Sequence, residues 1–173
     1  MMQAIKLALK WFVPITLTAM GLAWVSEQVA VLFGFELPDP QPLVQLFTNP
    51  NVSWKIKAGY AAWAVIAAPI YEEIIFRMGL FKFLCWVRRK YDARRGRDVS
   101  LVRREFPVAA ALVSGAVFAA VHLHAATFVP LWFLGVAFEW LYWRSGTIFS
   151  PMLCHFLFNV VNMCLCLLVG AEA

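Results

Sequence analysis

Charge is what this chain has least of. Only 14% of its 173 residues are Asp, Glu, Lys or Arg, while 62% are hydrophobic and the mean hydropathy is +0.72. A soluble domain is roughly 45–50% apolar, so a water-soluble fold is excluded and an integral membrane protein is implied. The length allows one domain, residues 1–173. Zinc-finger cysteine spacing is absent. The four cysteines, Cys85, Cys154, Cys164 and Cys166, all lie in apolar segments and read as reduced packing residues. No His-Glu-x-x-His occurs, so there is no clean zincin signature. Internal repeats and low-complexity tracts are missing too. No cleavable signal is read at the start. The apolar run after Lys6 and Lys10 is too long for a signal core and has no clean small-residue cleavage site.

Hydrophilic stretches are equally scarce. The one strong example runs from Arg88 to Arg104 and holds eight basic residues: Arg88, Arg89, Lys90, Arg94, Arg95, Arg97, Arg103 and Arg104. By the positive-inside rule it is a cytoplasmic loop. The net charge of +5 therefore reflects membrane topology against anionic lipid, and no nucleic-acid partner is expected. Counting outward from that loop gives an all-α polytopic bundle of about five spans: Trp11–Phe35, Trp54–Val87, Phe106–Leu123, Phe128–Trp143 and Ile148–Val169. The N-terminus falls in the cytoplasm. The second span is too long for one straight crossing, and Pro69 near its middle should kink or break it. Four prolines make Glu36–Ser53 a loop, with a short interfacial turn at Leu43–Phe47. The many small residues of Phe106–Leu123 suit a closely packed interior helix.

Within these apolar runs the few ionisable residues stand out. Glu72, Glu73 and Arg77 lie within six positions of one another, and each charge at bilayer depth costs at least about 2.5–3.5 kcal/mol. On a helix Glu73 and Arg77 are i and i+4 and can pair. Glu72 points about 100° away and is left for something else. A plain structural ion-pair cluster would account for all three. His122 follows Phe118 by four residues, and His155 precedes Asn159 by four, so each pair shares a helix face. A lone buried histidine is most often a satisfied core residue; three polar sets in one small chain are harder to set aside. His124, two residues past His122, should point elsewhere, and Glu139 should snorkel or pair with Arg144.

Glu72-Glu73-x-x-x-Arg77, Phe118-x-x-x-His122 and His155-x-x-x-Asn159, in that order, resemble the CPBP intramembrane proteases. That family includes the CAAX prenyl endopeptidases and the Abi-like proteins. The resemblance covers residues 58–169, including Gly135 and the approach Ser145-Gly146-Thr147-Ile148-x-x-Pro151. It implies an intramembrane endopeptidase acting on a membrane-anchored protein or peptide in the lipid bilayer. Glu72, helped by His122, would activate water. Glu73 with Arg77 would position the site, and His155 with Asn159 would stabilise the oxyanion. One carboxylate and two imidazoles could also ligate zinc: Glu72, His122 and His155 would be its ligands, although a metal-free mechanism is favoured. A bacterial inner membrane is the expected location. The competing readings are a non-catalytic membrane scaffold or immunity protein of the same fold, and a haem protein with His122 and His155 as axial ligands. The last leaves the two glutamates and Asn159 unexplained.

His122 and His155 pose a geometric problem. In a simple five-span bundle the first lies late in its helix and the second early in its own, so their depths should differ by roughly 10 Å or more. A shared site requires something to cancel that offset.

Overall fold

The computed structural model describes residues 1–35, 42–98, 100 and 105–172, and every regular element among them is helical. Helix α1 (Met2–Leu32) joins the basic N-terminal segment to the first span without a break. A short α2 (Pro42–Thr48) stands where an interfacial turn is expected; residues 36–41 of the proline-rich loop lie outside the described residues. The expected long second span is a succession of helical segments: α3 (Trp54–Ala62), a π segment π1 (Trp63–Ala67), α4 (Ala68–Glu73), a second π segment π2 (Ile74–Phe81) and α5 (Lys82–Arg94). The remaining helices are α6 (Val108–Ala120), α7 (Phe128–Ser145, after a 3₁₀ turn at Ala125–Thr127) and α8 (Phe149–Glu172).

Helices Met2–Leu32, Ala125–Ser145 and Phe149–Leu168 are long and apolar enough to cross a membrane. Their outward side chains fit that setting: Val13, Leu17 and Trp24 on α1 are all exposed. The third expected span is shorter than the sequence suggests. The 13 residues of α6 reach about 20 Å at 1.5 Å per residue, against a hydrocarbon core of about 30 Å.

Pro69 interrupts the second span by changing its hydrogen-bond register, and the chain stays helical. Its ring clashes with the carbonyl four residues back, and it has no N–H to donate. Widening to a π turn accommodates this: the Ala68 N–H reaches back five residues to the Trp63 carbonyl. The next carbonyl, Ala64, would need Pro69 as its π partner and is orphaned.

The basic stretch also departs from expectation. Arg88 to Arg94 is not loop but the last turns of α5. Lysine and arginine are good helix formers, and cations suit a helix C-terminus. Asp92 draws in Arg88 (3.5 Å) and Arg97 (3.1 Å), and Arg88 also pairs with Glu105 at 2.8 Å. Arg103 and Arg104 lie outside the described residues.

The core joins Ala8, Ile15 and Ala19 of α1 to Leu134, Phe138 and Leu141 of α7 and Cys154 of α8. α6 crosses α7 with Gly115 against Gly135. A Cβ on Gly135 would stand 2.7 Å from the Gly115 Cα, so the backbones are in contact there. The small residues of α6 serve this approach, with Ala110, Ala111, Ser114 and Ala119 all buried.

Candidate active site

Glu72 and Glu73 end α4, just before the second π segment. Glu73 faces the bundle and is fully buried, with Arg77 equally buried beside it as an ion pair at 3.0 Å. The spacing of four residues is what brings them together. Arg77 Nη2 also donates to the Gly135 carbonyl at 3.1 Å. Its guanidinium lies between two aromatic rings, 5.0 Å from the Phe118 centroid and 5.4 Å from that of Phe138. These cation–π contacts replace part of the lost hydration. The Gly115–Gly135 crossing is therefore part of the site, because it sets where the Gly135 carbonyl meets Arg77.

The other oxygen of Glu73 accepts from His155 Nδ1 at 2.9 Å. A carboxylate only accepts, so Nδ1 carries the proton and Nε2 points onward. Nε2 lies 3.7 Å from Glu72 Oε2, too far for a direct hydrogen bond and suited to a bridging water. A line of polar groups thus runs Arg77, Glu73, His155, Glu72, from the sealed interior to a wall of a cavity.

That cavity encloses about 880 Å³ and is lined by Glu72, Phe118, His122, His155 and Asn159 among others. His122 Nδ1 donates to the Phe118 carbonyl at 2.8 Å. A carbonyl cannot donate, so His122 is Nδ1-protonated and presents Nε2 as an acceptor. The Phe118 ring touches both imidazoles, at 4.9 Å to His122 and 6.1 Å to His155. Both imidazoles nonetheless line one cavity and lie against one ring, with α6 stopping at Ala120 and the chain turning at Leu123 with φ of +52°. His155, not His122, is the closest imidazole to Glu72.

Asn159 donates through Nδ2 to the Ala64 carbonyl at 2.8 Å, the acceptor that π1 and Pro69 leave without a backbone partner. One of its two amide protons is thereby committed to holding α8 against π1.

Two residues escape a helical reading of the sequence. His124 lines the same cavity, where helical periodicity would turn it away; the helix has ended four residues earlier. Its Nδ1 lies 3.3 Å from Thr127 Oγ1. Glu139 neither snorkels nor reaches Arg144. It is fully buried, with the Arg77 guanidinium and the Ser114 hydroxyl as polar neighbours. Its position one turn beyond Gly135 is the only sequence signal, and Gly135 had to be known to face Arg77 first. Among the described residues no group of three or more His, Cys, Asp or Glu side chains is gathered to hold a metal ion.

A family of known proteins matches this region. The type II CAAX prenyl endopeptidase Rce1-like family covers residues 54–161. The chain belongs to this family. The matched region starts at α3, runs through the helical segments that carry Glu72, Glu73 and Arg77, and ends in α8 just past His155 and Asn159. No curated protein and no solved structure matches. The Rce1-like chain is accordingly a helical integral membrane protein of the CAAX-protease type, a hydrolase acting on peptides. α1, which closes one side of the cavity, lies outside the matched residues.

Proposed function

We propose that the Rce1-like chain hydrolyses a peptide bond of a membrane-anchored protein or peptide, using water activated by Glu72 without a metal. The observation that carries this reading is the line of polar groups from the Arg77–Glu73 ion pair through the Glu73–His155 hydrogen bond to Glu72, 3.7 Å further on, ending at a cavity large enough for a peptide segment. Glu72 takes a proton from the water, whose oxygen adds to the scissile carbonyl carbon. His122 Nε2 is a second acceptor able to orient that water. The C–N bond then breaks, and the proton held by Glu72 passes to the departing amine, so Glu72 ends as it began.

The oxyanion formed on the way needs donors. Before it reaches the amine, the proton on Glu72 is shared over a bridging water with His155 Nε2, 3.7 Å away, and Glu73 on Nδ1 stabilises that imidazolium, much as the buried acid of a catalytic triad steadies its own. His155 Nε2–H then becomes a donor, joined by the second amide proton of Asn159. Such donors in a water-poor site lower the barrier by several kcal/mol. Arg77 holds Glu73 in place, so its part is positioning. Site residues set in apolar segments fit an enzyme whose substrate arrives from the bilayer, and we place the chain in a bacterial inner membrane with residues 88–104 in the cytoplasm.

The test is Glu72→Gln. Gln keeps the shape and removes the base, so cleavage should fall by at least about 100-fold at unchanged protein level. A scaffold or immunity protein of the same fold would keep its cellular phenotype.

A further inference from the structure

The mechanism uses two polar residues of α8, and a third stands beside them. His155, Asn159 and Asn162 follow one another at spacings of four and three residues, so they share one face of the helix. All three line the cavity. Around Asn162 the wall is apolar, with Phe158 and Met163 on α8 and Met20 and Ala23 on α1. An amide in such a wall is costly unless it is hydrogen-bonded.

Asn162 Nδ2 donates to the Phe158 carbonyl at 2.9 Å. That carbonyl lies four residues back in α8 and already accepts the backbone N–H of Asn162 within the helix. The side-chain bond is therefore surplus to the helix. Its effect is to fix the amide: a carbonyl oxygen only accepts, so nitrogen is the atom turned toward it. Oδ1 and the second N–H are left over, with no partner among the described residues. Asn159 is built alike. The Ala64 carbonyl takes one of its amide protons at 2.8 Å, and its Oδ1 and second N–H are also left over among the described residues. Two fixed amides thus present one acceptor and one donor each. They stand about 4.5 Å apart along α8, at 1.5 Å per residue.

A donor beside an acceptor is the complement of a peptide group, which carries one N–H and one C=O. Repeated along a wall, the pair matches the edge of an extended chain, whose residues advance about 3.3 Å each. Main-chain pairing of this kind holds a peptide whatever its side chains are. We propose that the substrate lies extended along α8, and that Asn162 holds its backbone one or two residues from the scissile bond. Asn159 serves the scissile carbonyl itself. Asn162 is a positioning residue. It holds the main chain equally in the ground state and the transition state, so it sets affinity and register without entering the chemistry. This rests on the cavity being the peptide site of the protease.

The experiment uses the purified full chain in detergent and a fluorescent apolar peptide of mixed Leu, Ala and Phe. Each of its peptide bonds in turn is replaced by an ester, which removes the N–H and weakens the carbonyl as an acceptor. Affinities are read by fluorescence anisotropy on Glu72→Gln, with and without Asn162→Leu. Leucine keeps the volume and removes both hydrogen-bonding groups. The Phe158 carbonyl keeps its helical partner, so the variant should fold. Asn162→Leu should weaken binding by about threefold to tenfold, as expected for one hydrogen bond. One ester position should cost about as much, and should cost nothing further in Asn162→Leu. With Glu72 intact, mass spectrometry should place that ester one or two residues from the bond cut, and Asn162→Leu should raise KM with kcat unchanged. Equal affinity with and without Asn162→Leu, no ester whose cost vanishes in Asn162→Leu, or no binding at all would overturn the proposal. If the affinities behave as expected and no peptide is cut, backbone capture stands and the proteolytic reading fails. If the peptide is cut and Asn162→Leu changes nothing, the reverse is true.

Discussion

Arg77 is the side chain on which the buried part of the site depends. It answers Glu73, the Gly135 carbonyl and two aromatic rings at once. Removing one partner of a buried pair typically costs about 3–5 kcal/mol, so Arg77→Gln and Glu73→Gln should each lower stability by that order. Unfolding of the purified protein in detergent measures it. Spacing alone suggests that exchanging the two charges would restore the pair. The structure argues against it: a carboxylate at position 77 would meet the Gly135 carbonyl, and a cation at 73 would meet His155. The double exchange should therefore recover little. Glu139 behaves differently. Its carboxyl group is fully buried with only loosely aligned polar neighbours, the Arg77 guanidinium and the Ser114 hydroxyl, and a poorly satisfied buried carboxylate is costly. Glu139→Gln should raise the unfolding temperature. A fall would show that Arg77 needs the second negative charge.

At the scale of elements, π1 and α8 are coupled by a single hydrogen bond. Asn159→Ala leaves the Ala64 carbonyl without a partner, a loss of about 1–3 kcal/mol. Pro69→Ala would give residue 69 an N–H able to reach that carbonyl in the π register. The double variant should then be more stable than Asn159→Ala alone, while cleavage stays low because the oxyanion donor is still missing. Stability and activity measured on the three variants separate the two roles. Gly135→Val should also be severe, since its side chain would enter the backbone of α6; overpacking of this kind costs about 1–3 kcal/mol or more. These elements also show how far the sequence could be read. The Glu73–Arg77 pair was legible because a four-residue spacing means the same thing in any helix. The convergence of Glu72, His122, His155 and Asn159 on one cavity followed from the cost of facing lipid. The facing of His124 was not legible, because periodicity holds only while the helix does and α6 ends early. The hold of Asn159 on Ala64 was hidden as well: Pro69 announces a disturbance, but not that the chain answers it with a π turn whose orphaned carbonyl falls beside α8.

At the scale of the whole molecule, the apolar outer faces place the chain in a bilayer, and the basic end of α5 motivates the proposal that this end lies in the cytoplasm. We expect a cysteine introduced at Arg97 to resist a membrane-impermeant maleimide added outside intact cells and to react once the membrane is opened. Labelling from outside would invert the topology. The central claim is that Glu72 activates water for peptide hydrolysis inside the membrane. The most direct measurement compares the peptide ends present in membranes of the source cells carrying the wild-type chain or Glu72→Gln at equal abundance. New ends should be found with the wild type and be lost with Glu72→Gln. The same new ends in equal amounts from both would contradict it.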